Sequence, residues 1–438
     1  MVKGVWKARW SRAFHTPFSS LWGPMDTSRL ARKITTTLFL TQSFGSAGFI
    51  ATATVSSIVA AEISGSAALG GVASAVYLFG SALASPLLGY AMDRTGRRRG
   101  LSAGLLLGVT GAVLAAGSIL AGAFPLFLLG TGLMGIAQAS VQLGRFAAAE
   151  VHPPGDRGRA ISNVVIGGTV GAVLGPLLVG PVGELAQRLG ADELAGPYGA
   201  AAVLLLFACL LVFARLRPDP QEIGREVARL YPAAEGEDGP ARPLSAIFRR
   251  PAPLAALSAM VFGQVIMVML MVITALHMRQ HDHVLTDVSL VISSHTFGMY
   301  AFSVISGRLA DRWGREPVIL TGVGVLILAC LAAPLSPQVL PLAAALFLLG
   351  LGWNFCYVGG SSLLSDHLLP AERGRAQGFN DLLIGLASAA GSLGSGFIFA
   401  ALGYALMGLI GALLALLPLA LTILWLVSRR GPALAKEG

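Results

Sequence analysis

The chain has 438 residues, of which 55% are hydrophobic and only 12% charged, and its mean hydropathy is +0.73. A soluble domain carries about twice that share of charge, so the composition excludes an ordinary globular protein and points to an all-α membrane protein. The net charge of +9 does not indicate nucleic-acid binding, because the basic residues sit in loops between apolar runs and form no soluble basic face.

The first 33 residues carry Lys3, Lys7, Arg9, Arg12, Arg29, Arg32 and Lys33 without the apolar core of a cleavable signal. Trp6, Trp10 and Trp22 among those charges read either as a segment lying on lipid headgroups or as an extension ahead of a start at Met25. Apolar runs of bilayer length, about 20 residues, then fall near 34–61, 67–91, 100–121, 124–149, 160–186 and 197–215. They resume near 252–278, 286–309, 317–334, 339–366, 374–401 and 405–428, ahead of a short tail over 429–438. Twelve spans place both termini on one side. Nearly all Lys and Arg lie in the terminal segments, the alternate loops and the centre, with only Arg188 and Arg279 opposite. By the positive-inside rule that side is the cytoplasm.

The stretch 217–251 is a linker. A stretch with Pro218, Pro220, Pro232, Pro240 and Pro243 and the acidic patch Glu235, Glu237 and Asp238 cannot span a membrane. It divides a six-span half over 34–216 from another over 252–428. The halves repeat each other. Gly89-x-x-x-Asp93-Arg94-x-Gly96-Arg97 recurs as Gly307-x-x-x-Asp311-Arg312-x-Gly314-Arg315, an offset of 218. Asp156-Arg157-Gly158-Arg159-Ala160 recurs as Glu372-Arg373-Gly374-Arg375-Ala376, an offset of 216.

Gly89 and Gly307 are expected to allow close helix approach, Gly96 and Gly314 to reverse the chain, and Asp93 and Asp311 to cap a helix N-terminus. The arginines are expected to find carboxylates such as Glu150 or Asp366. This loop signature resembles that of the major facilitator superfamily. The resemblance implies two pseudo-symmetric six-helix bundles, with Gly89, Asp93, Arg94, Gly96, Arg97 and their repeats Gly307, Asp311, Arg312, Gly314 and Arg315 acting as a conformational latch. Span 5 holds Gly171-x-x-x-Gly175-Pro176 and Gly180-Pro181, similar to the motif of the superfamily's proton-coupled antiporters. Those carry an arginine in the middle of span 4, where residues 131–142 are uncharged here, so close packing with a kink is the expected role.

Five of the eleven methionines crowd into span 7: Met260, Met267, Met269, Met271 and Met278. Met267 and Met271 are four apart and share a helix face, as do His295 and Met299 in span 8. At about 1.5 Å per residue, Met271 and Met267 lie roughly 10 and 16 Å from the outer end, His295 and Met299 roughly 14 and 20 Å. Two adjacent spans would thus offer thioethers and an imidazole at matching depth, a soft neutral set suited to Cu(I). His277, Met278, His281 and His283 stand at the outer mouth, where they can gather metal. Ordinary core packing of methionine, with His295 bonded to backbone, is the competing reading.

The pairs Met267/Met271 and His295/Met299 resemble the hallmark of the CcoA-like copper importers. That resemblance implies copper uptake across a bacterial inner membrane for respiratory oxidase assembly, with no permanently bound cofactor. It implies a monomer with the copper ion, the bilayer and copper chaperones on either side as partners. Among the remaining polar residues, Asp381 is the candidate for proton coupling, Cys356 a further metal ligand, and Gln42, Gln138, Gln142, Asn163, Gln264, Asn354 and Asn380 interhelical hydrogen-bond partners. Two other functions stay open. One is a carrier of an organic solute, a vitamin or drug, held by Trp353, Tyr357, Tyr77 and the methionines. The other is a non-transporting metal sensor or assembly partner that keeps the fold. No nucleophile, nucleotide loop or catalytic dyad points to an enzyme.

Overall fold

The computed structural model describes residues 27–153, 156–230 and 242–434. Trp6, Trp10, Trp22, Met25, the acidic patch Glu235, Glu237 and Asp238, and residues 435–438 lie outside them.

In lipid an unpartnered backbone N–H or C=O costs several kcal/mol, and a helix satisfies both within one segment. Every regular element among the described residues is accordingly helical. Spans 1 to 6 are Thr27–Ser64, Val72–Thr95, Arg97–Ala121, Phe124–Glu150, Arg157–Arg188 and Ala195–Arg215. Two short helices, Pro220–Leu230 and Leu244–Phe248, follow in the central stretch. Span 7 is Pro251–Arg279, span 8 is Leu285–Tyr300 continued after a break by Ser303–Trp313, span 9 is Arg315–Ala332 and span 10 is Val339–Asp366.

Eleven stretches are long and apolar enough to cross a membrane, the last being Arg375–Ser428 with 54 residues. As one straight helix it would measure about 80 Å, against a hydrocarbon core of about 30 Å. It is broken at Gly403, where φ is 76°. The run therefore crosses twice, as spans 11 and 12, and the total is twelve.

Small residues set the packing, as expected where lipid gives no hydrophobic drive between helices. Gly104 of span 3 faces Ser140 of span 4, and Gly135 of span 4 lies against the Tyr77 carbonyl of span 2. In the second half Gly322 of span 9 faces Cys356 of span 10, and Gly350 of span 10 lies against the His295 carbonyl of span 8. The same helix pairs close in the same way in both halves. Many hydroxyls inside the bundle bond their own helix, as Thr41 does to the Thr37 carbonyl at 2.9 Å and Thr274 to that of Leu270 at 2.7 Å.

The two halves meet on the face away from the central linker. There Gly71 abuts Ser392, Gly70 meets Leu276, Gly180 meets Thr286 and Gly396 meets Ala68, and the Ser392 hydroxyl donates to the Gly71 carbonyl at 2.9 Å. Arg279, from the end of span 7, pairs with Glu193 at 2.8 Å and Glu62 at 3.6 Å, both of the first half. Toward the linker face the halves part: nothing stands within 4 Å of a Cβ placed at Gly89 or Gly307. The repeat architecture places a central cavity between the halves on that side.

Candidate transport site

The signature loops come first, because they hold the floor of the cavity. Gly96 and Gly314 adopt φ of 97° and 98°, which only glycine takes without strain, and each turns one span into the next. Arg97 bonds Glu150 through Nε at 3.0 and 3.1 Å and pairs with Asp93 at 2.8 Å. Arg315 repeats this with Asp366 at 3.0 Å and Asp311 at 2.7 Å. The expected carboxylates are the observed ones.

Two details differ from expectation. Asp93 and Asp311 do not cap a helix, since they are spent on the arginine one turn on. The cap of span 3 comes from Asp219 in the linker, which accepts from the N–H of Arg97 and of Arg98, each at 3.0 Å. Nor do Gly89 and Gly307 serve close approach in this conformation, since nothing stands within 4 Å of a Cβ placed at either. Arg94 lies over the Tyr90 ring at 4.3 Å, and Arg312 is exposed.

The sulfur and imidazole residues share a level, but not through adjacent helices. Spans 7 and 8 make little contact; span 10 packs against both. Trp353 Nε1 donates to Gln264 Oε1 at 2.6 Å and Gly263 faces Cys356, which registers span 7 antiparallel to span 10. Met267 is then level with Gly350, and Met271 with Leu346. From the other side His295 Nδ1 donates to the Leu346 carbonyl at 2.9 Å, and Gly350 packs on the His295 backbone. The matching depth holds, while the expected direct pairing of the two spans does not.

With its proton on Nδ1, His295 is left with a bare Nε2, which is buried and has no hydrogen-bond partner. Metal-binding histidines adopt this arrangement. Yet His295 is 0%, Met267 4% and Met299 8% exposed, so the set is sealed inside the second half. Only Met271 is half-buried. Cys356 is turned to span 9, its sulfur 4.0 Å from the Ile319 carbonyl. Among the described residues no three His, Cys, Asp or Glu side chains are grouped to hold a metal.

The outer four are likewise divided. His277 stacks on Tyr404 with centroids 4.2 Å apart, and its ring lies 4.5 Å from that of His281. Met278 is fully buried. His283 is held by the Pro337 carbonyl at 2.9 Å and Asp287 at 3.4 Å. Only His277 and His281 come together.

Spans 7, 8 and 10 also bring together an aromatic and amide cluster. Trp353 and Tyr357 stack with centroids 5.0 Å apart, Tyr300 meets Trp353 edge-on at 6.4 Å, and Gln264 fixes the indole. Asn354 instead ties span 10 to span 8, donating to the Met299 carbonyl at 2.6 Å, the interhelical role expected of it. Nearer the linker face, Asp381 of span 11 is exposed and lies within electrostatic reach of Arg145 of span 4. Both charges also act on Tyr357. Arg145 was legible: Gln138, Gln142 and Arg145 form a polar stripe at helical spacing on an otherwise apolar span.

Several known proteins share this architecture. The uncharacterized MFS-type transporter YdeG of Bacillus subtilis is 37% identical over 86% of this chain and 88% of its own length. The riboflavin transporter RfnT of Brucella anthropi is 31% identical over 82% of this chain and 87% of its own. Among solved structures the nucleoside transporter NupG aligns over 91% of this chain and 99% of its own, with 17% identity and a TM-score of 0.68. The family model described as Major Facilitator Superfamily matches residues 37–286 and 257–438. With that match laid over twelve spans in two repeated halves, the chain belongs to the major facilitator superfamily.

Proposed function

We propose that this transporter carries an organic solute with an aromatic ring system, by alternating access across a bacterial inner membrane with the linker face in the cytoplasm. On that orientation the conformation described is inward-open, and the signature loops serve as the latch of the opposite state. One observation carries the reading: Trp353 and Tyr357 stack on one another at half-buried positions of span 10, with Gln264 at the edge of the indole. A flat ring stacks on such a wall, and an amide beside it reads a ring edge. The relative that transports riboflavin moves a solute of this type.

A second reading, import of copper for respiratory oxidase assembly, is favoured by the bare, buried Nε2 of His295 level with three thioethers. Against it stands accessibility. An inward-open carrier must expose its cargo site to the cytoplasm, and His295 is 0% exposed.

Uptake of riboflavin and of radiocopper into proteoliposomes separates the two. Trp353→Ala is expected to lower riboflavin uptake about tenfold, since stacking and area burial supply on the order of 1–2 kcal/mol. Met267→Leu keeps side-chain volume and removes a thioether, and is expected to leave riboflavin uptake unchanged. Copper uptake that Met267→Leu abolishes, with no flavin uptake, would establish the copper reading instead.

A further inference from the structure

Two polar atoms of span 4, Arg145 Nε and Gln138 Oε1, are buried without a hydrogen-bond partner, and Asp381 of the other half lies within electrostatic reach of Arg145. Such atoms are costly in an apolar setting, and these are not scattered. Counting rise from the linker-face helix ends, Arg145 and Asp381 both lie about 8–9 Å deep, Tyr357 about 14 Å, and Gln138 with Trp353 about 18–20 Å. The wall is therefore graded over about 10 Å, aromatic and amide above, charged below.

The lower level has a definite chemistry. Arg145 and Asp381 stand on opposite halves, each within reach of the other's field, yet no ion pair joins them. Their charges cancel, so the level as a whole does not call for a charged ligand. Its open positions are one donor, Arg145 Nε, and one acceptor, the exposed Asp381 carboxylate. A hydroxyl both gives and accepts a hydrogen bond, and a run of hydroxyls answers a mixed set of this kind without carrying charge.

Resting on the aromatic-solute reading, we propose that Arg145 and Asp381 form a subsite for a neutral, polyhydroxylated tail attached to the cargo's ring. The ring would stack on Trp353 and Tyr357 with its polar edge toward Gln138, and the tail would bridge the two halves below. Arg145 and Asp381 are on this account specificity-determining residues.

Flavins of one ring and different tails test it. Binding to the purified full chain in detergent is read from quenching of flavin fluorescence, with riboflavin (ring and polyol), lumiflavin (ring alone) and ribitol as a competitor (polyol alone). Riboflavin is expected to bind about tenfold more tightly than lumiflavin, the worth of one or two hydrogen bonds to charged groups. Arg145→Gln and Asp381→Asn are each expected to weaken riboflavin about tenfold and to leave lumiflavin within about twofold. Equal binding of both flavins to the wild type, or variants that weaken both alike, would overturn the subsite and leave the aromatic-solute reading standing. If neither flavin binds, the subsite and that reading fall together.

Discussion

Glu372 shows how a single side chain is fixed at the membrane border. Its carboxylate accepts from Arg242 Nε and Nη2, each at 2.6 Å, from the Arg242 N–H at 2.9 Å and from the Leu369 N–H at 3.0 Å. Hydrogen bonding to the Arg242 side chain is the main cause of its pKa falling from 4.5 to about 2. A carboxyl depressed in the folded state stabilises the fold above its unfolded value, and that contribution is lost as pH falls from about 4.5 towards 2. Thermal melting of the purified protein should therefore hold level from neutrality down to about pH 5 and drop below it. Glu372→Gln should start lower and be less sensitive to acid over that window. An unchanged acid profile in the variant would show that other carboxylates govern the loss. The repeat partner of Glu372 is Asp156, which is exposed. Two positions that match in sequence thus do different work, because only the second half receives the linker's Arg242.

At the scale of elements, the linker is held at both ends. Arg242 pins its far end, and Asp219 pins its near end by closing the first turn of span 3. Asp219→Ala removes a charged N-cap and should cost about 1–2 kcal/mol. Gly96→Ala forces a side chain into a φ of 97° against the Asp219 carboxylate, and should cost about 1–3 kcal/mol. Both are checked by melting temperature, and equal stability of the two variants with the wild type would deny the cap any role. Asp219 was not legible in the sequence, because it lies 122 residues from its partner Arg97 in a stretch whose prolines read only as linker. The spans were legible from their length and apolarity, and the pairs of Arg97 and Arg315 from their repeat. Spacing also placed Met267, Met271, His295 and Met299 at one depth. It could not show that span 10 separates their helices, since periodicity reports a face and a level but no neighbour.

Across the whole molecule, the closed face depends on contacts that must break for the cavity to open outward. Most are small-residue packing, as at Gly71 and Ser392. The charged one is Arg279, which links the second half to Glu193 and Glu62 of the first. It is also one of the two basic residues that the distribution of charge leaves on this face, which the positive-inside rule makes unusual. Arg279 is 35% exposed and its partners 23% and 46%, so solvent screens the pairs and together they are worth about 1 kcal/mol. That bias corresponds to about a fivefold shift between inward-open and outward-open populations. A cysteine at Gln142, on the cavity face of span 4, reports the shift once Cys209, Cys330 and Cys356 are replaced by alanine. In right-side-out vesicles, Arg279→Gln should raise the rate of its labelling by an impermeant thiol reagent about fivefold. High salt should have part of the same effect on the unaltered lock. Reversing the pair, Arg279→Glu with Glu193→Arg, should restore the slow rate, which a loss of packing alone could not. If labelling is indifferent to all three changes, the small-residue contacts hold the face shut without help from charge.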